Sequence, residues 1–435
     1  MIKQAIPHHL IVASSAWVSR IVMAVVQFAS IRVLISYLGI EQYAVFALLA
    51  ALMGWFMLID MGLGASLQNH ISGQRAKEQA YENYVVVTLV IAATFFILII
   101  TALYYLSPYL AQIYLKAFPQ IEVAEKAQLL FVSGALFIGA AFGGISYKIW
   151  YAEQKGYLAN IMPAIASLLG YSGIVAVNDS ALPDKLLISI IIFYTPTALI
   201  PIGVITIQMA KNFREGVRKV NFKIAENVFK RAINFWLLTL MTSVALQIDY
   251  LVISQFLKPE DIVVYNLSTR ISWLVLFIYV AALTALWPVF SEAIELGKWE
   301  VVKGLTQKYL KIGLSFTLVS SILMVWFMPE AIKILAPQNT IVVPTLFILS
   351  LGLYLLLRVW TDTFSMILQS MSDLKPLWIA GSLQAFLSVT LQWYLAQWIG
   401  LYGIILGNAM SFATTTAWLL PYAVNRHYKK TLVLK

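Results

Sequence analysis

The chain contains no cysteine among its 435 residues. It can therefore form no disulfide, no thiol nucleophile and no thiolate metal site. Its four histidines are not spaced as metal ligands. Charged residues make up only 11% of the sequence, whereas soluble domains carry about a quarter. These absences exclude thiol chemistry and argue against both a metal centre and an ordinary soluble domain.

Long apolar runs take the place of the missing charge, and 61% of the residues are hydrophobic. A hydrocarbon core about 30 Å thick requires about 20 apolar residues per helix, and the sequence offers many such runs. We therefore predict an all-α polytopic membrane protein. The first run follows Lys3 without the short apolar core and cleavage site of a removed signal peptide, so we interpret it as the first span.

The apolar runs predict twelve transmembrane helices in two lobes of six. The N-terminal lobe covers residues 1–210, a basic cytoplasmic linker covers 211–231, and the C-terminal lobe covers 232–435. The predicted spans are residues 10–37, 43–69, 83–106, 127–149, 157–177, 186–208, 232–256, 262–290, 309–329, 341–369, 377–398 and 400–424.

The distribution of Lys and Arg orients these spans. If the N-terminus is cytoplasmic, the inner loops and span ends carry most of the 30 basic residues, as the positive-inside rule requires. Both termini are then cytoplasmic. The net charge of +10 is accounted for mainly by topology, and we interpret the linker as a segment that lies on an anionic leaflet rather than as a nucleic-acid site.

A faint internal repeat relates the two predicted lobes. The segment LISYLGIEQYAVF (34–46) aligns with ISQFLKPEDIVVY (253–265) at the outer turn between the first two helices of each lobe. Six spans per lobe give both copies the same orientation. Parallel repeats of this kind are typical of transporters whose site lies between the lobes.

Six charges lie well inside the predicted spans. Each costs roughly 3 kcal/mol at a helix centre if it faces lipid, so each must meet a partner or water. Structural pairing and function are the two alternatives for every one of them. The six are Arg20, Asp60, Asp249, Arg270, Arg358 and Asp362.

Helical spacing groups polar residues with two of the arginines. Arg20 shares a face with Gln27, and Arg270 aligns with Asn266 and Trp273. Neither arginine has a carboxylate within one turn. We therefore predict that these residues bind an anionic substrate, because Arg offers bidentate phosphate contacts and stays charged.

The remaining charges are candidates for gating or ion coupling. Arg358 and Asp362 are one turn apart and are expected to neutralise each other. Asp249 aligns with Thr242 in the seventh span. Asp60 is either an inner-gate residue that pairs with a cation when the cavity closes, or a structural tie to a neighbouring helix.

The segment LGIEQYAVFALLAALMGWFMLIDMGLGASLQNHIS (38–72) resembles the start of Wzx-type O-antigen flippases, which are polysaccharide transporters of the multidrug/oligosaccharidyl-lipid/polysaccharide exporter superfamily. The shared features are an LG-x-x-x-Y turn at residues 38–43 and an acidic-glycine motif at Asp60, Gly62 and Gly64. The family often follows its Tyr with Gly, where this chain has Ala44. The resemblance extends over nearly the whole chain.

The resemblance implies two six-helix lobes in a V around a central cavity. The implied function is the flipping of oligosaccharide repeat units, linked to undecaprenyl diphosphate, across the bacterial inner membrane by alternating access. The implied partners are this lipid-linked substrate, membrane lipids, an O-antigen polymerase and a chain-length regulator. Distant lipid II flippases hold a cation site in the seventh span, which implies coupling to an H+ or Na+ gradient at Asp249 and Thr242.

Two rival functions remain open. A multidrug or cation antiporter of the same superfamily favours an acidic cavity, whereas the intramembrane arginines suit an anionic head group better. An enzyme such as a polymerase or glycosyltransferase requires a sizeable aqueous domain. The predicted loops are too short for one, so we predict that the chain is not an enzyme and has no cofactor or bound metal.

Overall fold

The computed structural model describes residues 8–178, 180, 182–218, 222–337, 341–371 and 373–433. Thirteen α-helices and one 3₁₀ turn account for nearly all of these residues, and no strand occurs among them. The 3₁₀ turn, Met57–Asp60, separates the first two helices. The helices are α1 His8–Phe56, α2 Leu63–Ala76, α3 Glu82–Tyr114, α4 Val123–Ala152, α5 Gly156–Val177, α6 Lys185–Val217, α7 Phe222–Phe256, α8 Pro259–Glu295, α9 Trp299–Leu335, α10 Thr345–Ser370, α11 Lys375–Ile399, α12 Leu401–Thr414 and α13 Thr416–Val433.

Within the described residues, nine helical segments are long and apolar enough to cross a membrane. The first of them, Ser14–Asp60, is 47 residues long and is interrupted at Gly39, where φ is 74° and ψ is 175°. A spanning helix needs only about 20 residues, so this segment is long enough for two spans and covers most of the first two predicted ones. The more polar helices α7 and α11 have 35 and 25 residues and are also long enough. The chain is an all-α multi-pass membrane protein.

The second predicted span, residues 43–69, is not one continuous helix. It breaks between α1 and α2, where Met61 has a φ of 49° and Gly62 a φ of 73°. The carboxylate Oδ1 of Asp60 accepts the backbone N–H of Gly62 at 2.8 Å. This side-chain acceptor competes with the helical hydrogen bonds of the main chain, and glycine accommodates the left-handed backbone that results.

The predicted linker is largely helical. α6 continues to Val217 and α7 begins at Phe222, so most of residues 211–231 extends these two helices. Val228 and Ala232 of α7 are fully buried. The lysines and arginines in the described part of the linker are exposed. The interpretation of the linker as a segment on an anionic leaflet stays a prediction.

Two compact units make up the chain, Met1–Leu240 and Met241–Lys435. Their limit falls inside α7, nine residues beyond the end of the predicted linker. The predicted lobe boundaries stay a prediction. Unit 1 contains α1 to α6 and the first half of α7, and unit 2 contains the rest.

Candidate functional site

Unit 1 contains a partly open cavity of about 400 Å³ between α1, the 3₁₀ turn, α4, α5 and α6. Most of its wall consists of small and apolar side chains, which leave room for a ligand. Three charged residues line it: Arg20 from α1, Asp60 from the turn and Lys148 from α4. Its other polar lining residues are Ser19, Tyr147, Tyr151, Asn160 and Thr197.

Asn160 of α5 fixes the part of α1 that carries Arg20. Its side-chain N–H₂ donates to the carbonyl of Val12 and to Oγ of Ser15, both at 3.0 Å. The main-chain carbonyl of Asn160 accepts a hydrogen bond from the hydroxyl of Ser19, the residue next to Arg20. Hydrogen bonds thus join α5 to the turn of α1 that precedes Arg20.

Asp60 and Lys148 approach each other over Gly64. A Cβ placed on Gly64 would lie 3.0 Å from Cγ of Lys148 and 3.1 Å from Oδ2 of Asp60. Any larger residue at position 64 would push these two side chains apart. The break in the second span thus brings the Asp60 carboxylate to the lysine on α4.

The cavity carries a surplus of positive charge. Arg20 and Lys148 provide two cations and Asp60 one anion. Among the described residues, no salt bridge within 4.0 Å involves any of the three. The guanidinium and ammonium groups therefore retain hydrogen-bond donors for an incoming anion.

Lys148 is the residue that sequence reasoning missed. It lies at the end of a predicted span, where a lysine is normally a topology signal. A better signal was available, because Ala140 and Gly144 precede it at intervals of four residues and form a small-residue stripe that leads to the charge. Gln27, which was predicted to act with Arg20, lies on an exposed face of α1 outside the cavity lining.

Unit 2 holds a separate polar network between α7, α8 and α10. Asp249 of α7 is 9% exposed. Its carboxylate accepts the hydroxyl of Tyr265 and the backbone N–H of Tyr250, the latter at 3.0 Å. Asn266 is buried and donates to the hydroxyl of Tyr250 at 2.7 Å. A buried carboxylate is thus held by neutral donors.

The predicted pair of Arg358 and Asp362 is confirmed. Their side chains meet at 3.2 Å, and Arg358 also donates to the hydroxyl of Tyr354 at 3.2 Å. The guanidinium carbon lies 5.4 Å from the ring centres of both Trp273 and Phe412. The arginine is buried between two aromatic rings, a favourable position for a cation.

The other predicted residues of unit 2 are placed differently. Trp273 covers Arg358, although part of its ring stays exposed. Arg270 is half-buried on α8, three residues before Trp273. The side chain of Thr242 lies outside the described part of the structure. The structure therefore groups Asn266, Trp273, Asp249, Arg358 and Asp362 in one region, and Arg20 with Asp60 in unit 1.

Two family models match the chain. The model described as polysaccharide biosynthesis protein matches residues 11–294, and the MatE model matches residues 236–394. A relative from Yersinia pseudotuberculosis that is named for O-antigen export is 36% identical over 425 residues, which cover 96% of each chain. A relative from Salmonella typhimurium that is named for O-antigen transport is 36% identical over 416 residues, again with 96% of each chain covered.

Solved structures share the fold at 15% sequence identity. An inward-facing multidrug resistance transporter of the MATE family superposes with a TM-score of 0.77, covering 94% of this chain and 96% of its own. The lipid II flippase MurJ, in an inward closed conformation, gives a TM-score of 0.74 and covers 96% of this chain and 87% of its own.

Proposed function

Because the chain belongs to the polysaccharide biosynthesis protein family, we propose that it flips oligosaccharide repeat units of the O-antigen type across the bacterial inner membrane. The unit is linked to undecaprenyl diphosphate and crosses by alternating access. Relatives that match over 96% of the chain are named for O-antigen export or transport. The observation that carries the proposal is the surplus of positive charge in the unit 1 cavity.

The diphosphate is the group that requires this charge. It is anionic at neutral pH and cannot enter hydrocarbon without compensation. Arg20 offers a planar fork for two phosphate oxygens, and Lys148 offers a second point charge. Tyr147, Tyr151 and Asn160 add donors and acceptors for sugar hydroxyls. The polyprenyl chain is too long to enclose and stays in the lipid.

The same charge disfavours the alternative function, a multidrug or cation antiporter. The MatE match keeps that alternative in view for the second half of the chain. A cationic drug would have to enter a cavity that already holds one uncompensated positive charge. Such a like-charge contact is unfavourable where the dielectric constant is low.

The unit is assembled on the cytoplasmic side and released outside, where an O-antigen polymerase and a chain-length regulator use it. This direction rests on cytoplasmic N- and C-termini, which the distribution of basic residues favours. Transport, and not catalysis, is the activity of this chain.

Energy coupling is assigned to Asp249 in unit 2. Asp249 supplies a buried carboxylate, Asp362 a partly exposed one, and Arg358 one guanidinium. An uncompensated charge within a membrane costs several kcal/mol, which favours uptake of a proton or of Na+ at Asp249. An ion gradient would then drive the return of the empty carrier.

The test measures flipping of an undecaprenyl-diphosphate-linked oligosaccharide in proteoliposomes. Arg20→Ala and Lys148→Ala should each reduce the initial rate by about tenfold or more, because each removes a charge-assisted contact of roughly 1.5–3 kcal/mol. Arg20→Lys should recover only part of the rate, since it lacks the fork. The matched control is Arg32→Ala, because Arg32 is an exposed arginine of α1 outside the cavity lining. An undiminished rate in the double variant Arg20→Ala, Lys148→Ala would refute the proposed role.

A further inference from the structure

The 3₁₀ turn that carries Asp60 is hydrogen-bonded to a tryptophan of α7. The carbonyl oxygen of Leu58 accepts two hydrogen bonds, from the backbone N–H of Met61 at 3.1 Å and from the indole N–H of Trp236 at 2.9 Å. The first bond closes the 3₁₀ turn, and the second ties that turn to another helix. Leu58 itself is buried.

The surrounding contacts leave α7 little freedom at this point. The Ser66 hydroxyl donates to the carbonyl of Val228 at 2.9 Å. A Cβ placed on Gly62 would lie 2.3 Å from the carbonyl oxygen of Ala232 and 3.0 Å from the backbone nitrogen of Trp236. The main chains of α7 and of the turn are therefore in direct contact, and the indole is delivered to Leu58 from a fixed position.

The turn is a conformation that needs such support. Met61 has a φ of 49°, a backbone conformation that residues other than glycine rarely adopt. Strained residues of this kind persist where the surroundings over-determine them. Asp60 lies between Leu58 and Met61 in this turn, and it lines the cavity.

We propose that Trp236 is a positioning residue for translocation, which holds the turn from Leu58 to Met61 so that Asp60 faces Arg20 and Lys148. The inference rests on the function proposed for the cavity. Trp236 is not among the residues that line the cavity, and it acts through the Leu58 carbonyl. The same helix carries Asp249 thirteen residues further along the sequence. One helix thus bears both the residue that positions Asp60 and the residue assigned to the coupling ion.

The first experiment is a double-mutant cycle on the flipping rate. Trp236→Phe keeps an aromatic ring but removes the donor, and it should slow flipping about threefold to tenfold, as expected for the loss of one partly buried hydrogen bond. In an Asp60→Asn background the same change should have almost no further effect, since the carboxylate it positions is absent. The matched control is Trp360→Phe, whose indole N–H also binds a main-chain carbonyl, that of Ala417 at 2.7 Å in unit 2.

The second experiment reads the position of the turn without transport. Since the chain has no cysteine, a single cysteine can be placed at Met57, on the turn, or at Met53, in the regular part of α1; both positions line the cavity. Trp236→Phe should change the rate at which a water-soluble thiol reagent modifies the cysteine at 57 by about threefold or more, and leave the rate at 53 within about twofold.

The outcomes separate the two proposals. Unchanged labelling at 57, or an effect of Trp236→Phe that multiplies in full with that of Asp60→Asn, overturns the positioning role. A lower flipping rate in Trp236→Phe when Asp60→Asn is silent also overturns it. Full flipping in the Arg20 and Lys148 variants refutes the proposed function instead, and the labelling experiment then still decides whether Trp236 holds the turn.

Discussion

Replacing Arg358 by Met tests whether burial or distance governs the strength of an ion pair in this protein. The Arg358–Asp362 pair is long, 3.2 Å, but its side chains are only 9% and 24% exposed. The Lys333–Glu330 pair is shorter, 2.6 Å, with side chains that are 69% and 64% exposed. Each pair joins two residues of a single helix, α10 for the first and α9 for the second. Lys333→Met is therefore a matched control.

The expected loss follows from what Arg358→Met leaves behind. The change strands the Asp362 carboxylate and removes the cation from between the rings of Trp273 and Phe412. Breaking a buried pair by removing one partner costs about 3–5 kcal/mol. An exposed pair contributes about 0–1 kcal/mol. With about 2–4 °C per kcal/mol for a unit of this size, Arg358→Met should lower the Tm by about 10 °C.

The assay is thermal unfolding of the purified protein in detergent. Lys333→Met should shift the Tm by no more than about 4 °C. The double variant Arg358→Met, Asp362→Leu should recover most of the loss, because it removes the stranded carboxylate as well. Equal shifts for Arg358→Met and Lys333→Met, or no recovery in the double variant, would refute the reasoning.

Three further substitutions test other parts of the structure. Gly62→Ala should lower the free energy of unfolding by clearly more than the roughly 1–2 kcal/mol that a left-handed residue requires, because its Cβ would meet Ala232. The control is Gly297→Ala, also at positive φ but with no atom within 4 Å of its Cβ. This control should show the backbone cost alone in the same unfolding assay. Asp249→Asn should weaken the dependence of flipping on an imposed H+ or Na+ gradient, and an unaltered dependence would contradict coupling at this residue. Asp60→Asn keeps an acceptor for the N–H of Gly62 and should fold but flip about tenfold more slowly, whereas Asp60→Leu should lower the protein level; normal flipping by the Asn variant would leave Asp60 a structural tie.

The membrane-spanning helices were predictable because hydrocarbon imposes a simple requirement on sequence. Long apolar runs are recognisable from the sequence alone. The spacing of Arg358 and Asp362 likewise predicted their contact. The break in the second span was not predicted, because Asp60 is the only polar side chain between Met57 and Leu63. Its local signal was an aspartate two residues before a glycine, a pattern that favours a turn.

The cavity was harder to predict than the helices. Arg20 and Asp60 were singled out as intramembrane charges, but no spacing rule places residues forty positions apart in one cavity. Lys148 lies at a span end, where a lysine is normally a topology signal, and the sequence around Trp236 gives no sign of its hydrogen bond. Their roles depend on which helices become neighbours in the fold, and helical periodicity within a single span carries no information about that.

The limit between the two units inside α7 has a consequence for biosynthesis. Unit 1 includes the first half of α7, which lies beyond its sixth helix. Val228 and Ala232 in this part of α7 are buried, and Trp236 donates a hydrogen bond to Leu58. During translation, six inserted helices would still leave that surface of α2 without its covering helix. The first half of the protein should therefore resist proteolysis in the membrane only when the nascent chain has emerged as far as residue 240, and a fragment that stops at residue 210 should be degraded.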